Sequence, residues 1–151
     1  MSATTTQAPL TEAEVKAFVE DWYLVKLDQH VPPDVITPMV MANVDFVLPE
    51  TSFTGRDKFQ EWYERIINSF FDEVHTITSL DITPHGDHAD VKVVVNWQTK
   101  VWEKPAPKSK WLGFDAYQTW TVVRSPETGK AAIQKYVVDR FEPMSGSAPL
   151  G

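Results

Sequence analysis

Val-His-Thr-Ile-Thr-Ser-Leu-Asp-Ile-Thr (74–83), then Pro-His-Gly-Asp (84–87), then a run to Trp102 with Ala89, Val91, Val93, Val95 and Trp97 at alternate positions: this stretch decides how the chain folds. Apolar residues at a period of two belong to half-buried strands. Pro-His-Gly-Asp is turn chemistry. Residues 74–83 and 89–102 are therefore predicted as two strands of a hairpin. Downstream, 103–110 is a loop with Pro105 and Pro107, 111–123 a third strand, Ser-Pro-Glu-Thr-Gly (125–129) a hairpin turn, and 131–141 the last strand. Four successive strands joined by short turns make an antiparallel meander.

Upstream of Val74 the period is helical. Thr11 and Glu14 form a capping box, and Val15, Phe18, Val19 and Trp22 follow at helical spacing, with Tyr23 and Leu27 on the flank. A helix over 11–29 is predicted, broken by Pro32 and Pro33, with a short second helix over 34–40. Residues 44–48 read as a strand stopped by Pro49. After Gly55, Phe59, Trp62, Tyr63, Ile66, Ile67 and Phe70 mark an amphipathic helix of about four turns. Helices come first and a meander follows, so the class is α+β with a curved antiparallel sheet against three helices in the N-terminal half. Residues 11–142 read as one domain, 1–10 as a flexible N-terminal tail and 143–151 as a flexible C-terminal tail.

The chain has 151 residues, 42% of them hydrophobic, which suits one folded domain. Its net charge of −7 and the lack of a basic stripe argue against nucleic acid. There is no cysteine, so disulfides, thiolate catalysis and iron–sulfur clusters are excluded. No run approaches ~18 apolar residues and the start has no signal-peptide pattern, so no membrane partner is expected and the cytoplasm is the expected location.

Phe-Val-Leu-Pro (46–49) before the Gly55 helix start, Trp62, His75, Gly-Asp-His-Ala (86–89) and Val-Asp-Arg-Phe (138–141), in this order of elements, resemble the nuclear transport factor 2-like superfamily, or cystatin-like α+β barrel, and within it the SnoaL-like proteins. The resemblance covers about residues 11–142. It implies a cone-shaped barrel enclosing an apolar pocket, and a homodimer formed through the sheet. The superfamily includes ketosteroid isomerases, scytalone dehydratase, limonene epoxide hydrolase, polyketide cyclases and non-catalytic binders, so the fold does not fix the function.

With neither thiol nor cofactor motif, the chemistry on offer is acid–base work by Asp, His and Tyr in an apolar cavity, with no cofactor. Strict alternation puts Asp139 on a face with Ile133, Lys135, Val137 and Phe141. It resembles the aspartate near the end of the last strand of limonene epoxide hydrolase. The plainer alternative is an ion pair at the sheet edge. His75 opens the first meander strand, where the resemblance places a cavity histidine. The plainer alternative is a histidine held at a helix C-terminus. Tyr23 is the third candidate, by analogy with a tyrosine of ketosteroid isomerase on this helix; simple packing is the alternative. Asp45 is expected to face outward.

Two departures narrow the resemblance. Leu48 stands where the isomerase base would be, and Val93–Trp97 lacks the Arg-x-Asp of the epoxide hydrolase.

Six Trp, eight Phe and four Tyr exceed ordinary core needs, and Phe18, Trp22, Leu48, Trp62, Trp97 and Trp120 are expected to line a pocket for a small apolar molecule. His85 and His88, flanked by Asp87 and Asp90, sit at a hairpin tip where solvent competes and nothing orients the rings, so no metal is expected. The stretch 100–110 carries four lysines and reads as a solvated hairpin or a lid.

The expected function is a cofactor-free enzyme of dehydratase, isomerase or cyclase type acting on an apolar, cyclic metabolite. The alternatives are a ligand-binding protein and a dimeric interaction module of the same fold.

Overall fold

The computed structural model describes residues 8–149. The predicted N-terminal tail falls largely outside these residues. Helix α1, Glu12–Glu20, starts where expected: Thr11 Oγ1 accepts the Glu14 N–H at 3.1 Å, and Val15 and Val19 are fully buried. Its continuation, Asp21–Leu27, is a π-helix rather than more α-helix. The wider turn changes the face presented. Trp22, Tyr23 and Leu27 are buried while Leu24 and Val25 face out.

Helix α2, Pro33–Ile36, is one turn long, with Pro33 at a position where its missing N–H costs nothing. A 3₁₀ turn, Thr37–Met39, follows. Strand β1, Val40–Val47, begins four residues earlier than the sequence suggests, and β2, Ser52–Thr54, returns against it. Gly55 has φ +105°, which lets the chain turn from β2 into helix α3, Arg56–Ser69. Asp45, between β2 and β6, accepts from Thr54 Oγ1 on the outward face, as its outward reading requires.

The meander is β3 (Phe71–Pro84), β4 (His88–Val101), β5 (Lys110–Arg124) and β6 (Ala131–Pro143), antiparallel throughout. The whole sheet is mixed, in the order β2-β1-β6-β5-β4-β3, because β1 lies parallel to β6. A crossover through α3 and the meander makes that parallel pairing possible. Register shifts in β1, β3 and β6 mark bulges that bend the sheet. The helices pack on the concave side.

Two apolar clusters result. The larger joins α1, the π-helix and α3 to the sheet through Val15, Val19, Trp22, Phe59, Tyr63, Trp120 and Tyr136. The smaller, Trp97, Leu112 and Phe114, lies toward the other end, with Phe141 and Ala148 against it.

The segment after β6 does not read as structured from composition, yet it packs back on the sheet. Met144 N–H donates to Gly113 O at 2.8 Å, Ala148 N–H to Trp111 O at 2.9 Å, and Gly113 N–H to Ser147 Oγ at 2.9 Å. No described helix is long and apolar enough to cross a membrane.

Candidate active site

Between the two clusters the concave sheet and the helices enclose a cavity of about 960 Å³. Its walls are mostly apolar: Leu27, Leu48, Trp62, Val95, Trp97 and Phe141 among them. Exposed Glu50 and Arg65 stand at its mouth, and Ser147, Ala148 and Pro149 of the returning C-terminal segment close one side. Stretch 100–110 contributes no lining residue, so the closing role imagined for the lysine loop falls instead to the segment after β6.

His75, on β3, lines this cavity and is 7% exposed. Its Nδ1 lies 2.5 Å from Oδ1 of Asp28, and its backbone N–H donates to Oδ2 of the same carboxylate at 3.0 Å. Asp28 sits just past the π-helix and its side chain is 16% exposed. An ionised carboxylate only accepts, so the proton of the neutral ring sits on Nδ1. Nε2 then carries the lone pair and has no hydrogen-bond partner among the described residues.

The Tyr23 ring packs 5.0 Å from the His75 ring, and its hydroxyl donates to Gln118 Oε1 at 2.7 Å. Trp120 Nε1 donates to the same oxygen at 2.9 Å. Burial pushes the Tyr23 phenol well above its ordinary pKa, and it pushes Tyr136 up to about 12. Both hydroxyls therefore stay protonated. Tyr23 fixes the face of the imidazole, but its proton is committed to Gln118.

Two residues along β3 from His75, on the same face, lies Glu73. Its side chain is 2% exposed. Oε1 accepts Trp97 Nε1–H at 2.9 Å, and Oε2 contacts His30 Nε2. A buried carboxylate needs such partners. The cavity thus holds two imidazole–carboxylate pairs, with His75 on the cavity wall in one and Glu73 in the other.

The six expected pocket residues divide evenly. Leu48, Trp62 and Trp97 line the cavity. Phe18, Trp22 and Trp120 do not: Trp22 and Phe18 each meet Trp120 edge-to-face, at 5.9 and 6.5 Å, in the packed floor beneath it. Two of the three catalytic candidates, His75 and Tyr23, come together.

Asp139 does not join them, and its inward reading is corrected. In β6, Ile133 pairs with Val122 but Lys135 with Thr121, and Val138 pairs with Gln118 but Arg140 with Tyr117. Each shift inserts one extra residue and flips the alternation. The inward set becomes Ile133, Tyr136, Val138 and Phe141. Asp139 is exposed on the outer face, where Thr119 Oγ1 donates to it at 2.7 Å.

Asp28 and Glu73 were missed by pattern reading. A signal existed for Asp28: an acid in the last turn of a helix opposes the dipole and needs a compensating partner. Glu73 lay one residue outside the predicted strand, so its face was not assigned.

No protein-family model and no curated protein sequence matches the chain. Solved structures do. A candidate scytalone dehydratase from Novosphingobium aromaticivorans superposes with a TM-score of 0.68 at 17% identity, over 92% of both chains. A candidate dehydratase of the NTF2-like family from Streptomyces avermitilis gives 0.72 at 14% identity, over 87% of this chain and 95% of that one. Hexachlorocyclohexane dehydrochlorinase LinA-type3 from Novosphingobium barchaimii gives 0.68 at 14% identity, over 92% and 93%. At such identities the likeness is one of fold.

Proposed function

We propose that this chain, which has the nuclear transport factor 2-like (cystatin-like) fold, is a cofactor-free lyase that removes a proton and a neighbouring leaving group from a neutral, apolar, ring-shaped molecule. One observation carries the reading: the 2.5 Å contact of His75 Nδ1 with Asp28 at the wall of an apolar cavity. A neutral imidazole with its lone pair on Nε2 is a general base suited to neutral pH. Asp28, accepting from Nδ1, holds that tautomer and stabilises the imidazolium as it forms.

In the step, Nε2 takes a proton from carbon. The C–H electron pair becomes a C=C bond, and the bond from the adjacent carbon to the leaving group breaks with its electrons. A hydroxide leaving group takes the proton back from the imidazolium and departs as water. A halide departs as such, and the proton passes to solvent. Tyr23 is a positioning residue that holds the imidazole face. Glu73 lines the same wall, and Glu50 and Arg65 at the mouth offset each other, so the cavity favours uncharged substrates. The dehydratase and dehydrochlorinase names among the solved structures both denote eliminations, which supports this class.

The test is incubation of the protein with cyclic β-hydroxy ketones and chlorinated cyclohexanes, following alkene by mass spectrometry and NMR. Turnover is expected, with a fall on the order of 10²–10⁴ in His75→Gln. Undiminished turnover in that variant would remove His75 from the chemistry. Ligand binding without turnover across the panel would replace the enzyme reading with that of a binding protein.

A further inference from the structure

The hairpin tip between β3 and β4 lies outside the cavity and holds His85, Asp87, His88 and Asp90. His85 and His88 flank a two-residue turn closed by the His85 N–H donating to His88 O at 2.8 Å. Cross-strand neighbours and i, i+2 residues share a face, so His85, His88 and Asp90 project together. One ligand atom from each of the three lies within 4.8 Å of the others. His85 Nε2 and Asp90 Oδ2 are already 3.0 Å apart. Two ligands of a tetrahedral zinc, bonded at about 2.1 Å, stand about 3.4 Å apart.

The rings are oriented, contrary to the expectation from sequence. They stack at 4.7 Å with 21° between planes. His88 Nδ1 bonds Asp87 Oδ1 at 2.7 Å, which leaves its Nε2 with the lone pair. This carboxylate-to-histidine contact is the outer-shell arrangement that orients metal-bound imidazoles. The turn itself is tied down: Leu10 N–H donates to Gly86 O at 2.9 Å, and Leu10 is buried.

We propose that His85, His88 and Asp90 form a surface site for one divalent transition-metal ion of the zinc or nickel type, with Asp87 orienting His88. Two imidazoles and one carboxylate select such ions over magnesium or calcium, which prefer all-oxygen shells. The chain's net charge of −7 favours cations near the surface. Three protein ligands leave a fourth position to water. The proposal is independent of the chemistry in the cavity.

Calorimetric titration of the full chain with zinc chloride tests it, alongside long-range ¹H–¹⁵N spectra of the four histidine rings. One ion per chain is expected, with ring-nitrogen shifts at His85 and His88 and none at His30 and His75. Affinity should fall tenfold or more in His85→Gln and in Asp90→Asn, and about tenfold in Asp87→Asn. Magnesium chloride should give no heat of binding. The side chains concerned are solvent-accessible, so the variants should keep the wild-type circular dichroism, and the wild-type ring shifts read the site without any variant. No saturable zinc binding, binding unchanged in His85→Gln, or shifts at His30 or His75 in place of His85 and His88 would each overturn the proposal.

Discussion

Replacing Asp28 by Asn exchanges one carboxylate oxygen for an NH₂ group and should reverse the polarity of the site. In the native pair, Asp28 Oδ1 meets His75 Nδ1 at 2.5 Å and Oδ2 accepts the His75 backbone N–H at 3.0 Å. An asparagine keeps its oxygen on the backbone N–H, since only the oxygen can accept. Its NH₂ then faces Nδ1 and must donate there. Nδ1 becomes the acceptor, and the ring proton moves to Nε2, where the lone pair was needed. The same exchange in a Ser-His-Asp triad costs about 10⁴ in rate, or about 5–6 kcal/mol of transition-state stabilisation. The cost in stability is smaller. A charge-assisted bond of about 1.5–3 kcal/mol gives way to a neutral one of about 0.5–1.5, so about 1 kcal/mol is lost and Tm falls by about 2–4 °C. The tautomer is measurable without a substrate. Long-range ¹H–¹⁵N spectra at about pH 8, above the usual imidazole range, should show His75 protonated on Nδ1 in the native protein and on Nε2 in Asp28→Asn. A native ring protonated on Nε2, or an unchanged tautomer in the variant, would refute the assignment of His75 as base.

Asp139→Asn should leave turnover unchanged and move stability by less than about 0.5 kcal/mol, because its carboxylate lies on the outer face against Thr119; a large loss of activity would restore it to the site. Tyr136 should titrate near 12 in a spectrophotometric titration. Its folded pKa lies above the unfolded value of about 10, so it contributes stability below pH 10 that is lost between about pH 10 and 12, roughly 2–3 kcal/mol in denaturant melts; a phenol titrating at 10 would contradict its burial. In Gly113→Ala the new Cβ would meet Trp111 Cζ2 at 2.5 Å and Met144 Sδ at 2.7 Å. Both must move, loosening the C-terminal segment where it closes the cavity, at a cost of about 1–3 kcal/mol read as a lower Tm. An unshifted Tm would mean the segment is not held as described.

Much of the architecture is legible as period. Alternation over 74–102 and over 111–141 yields the meander. The Thr11 cap and the Val15–Val19 stripe yield α1, and Gly55 marks the entry to α3. Where the regular period breaks, the reading breaks with it. The π-helix at Asp21–Leu27 inserts no visible signal, and the two bulges of β6 reverse Asp139 while leaving Ile133 and Phe141 inward. β2 is three residues long and carries no alternation to detect. The aromatic excess pointed to a cavity, but Trp22 and Trp97 share one chemistry and only packing separates floor from wall.

Everything legible from the chain alone is local: helix starts, turns, strand faces over unbroken stretches, and the absence of thiol chemistry. These depend on neighbours within a few positions, where propensity and period act. The pairing of Asp28 with His75, 47 residues apart, and of His30 with Glu73, 43 apart, was decided only when the first helix docked against β3. No local preference encodes those partners. Each carboxylate becomes costly to bury only once the fold has removed its water, and it is that shared desolvation which selects an imidazole or indole N–H to meet it.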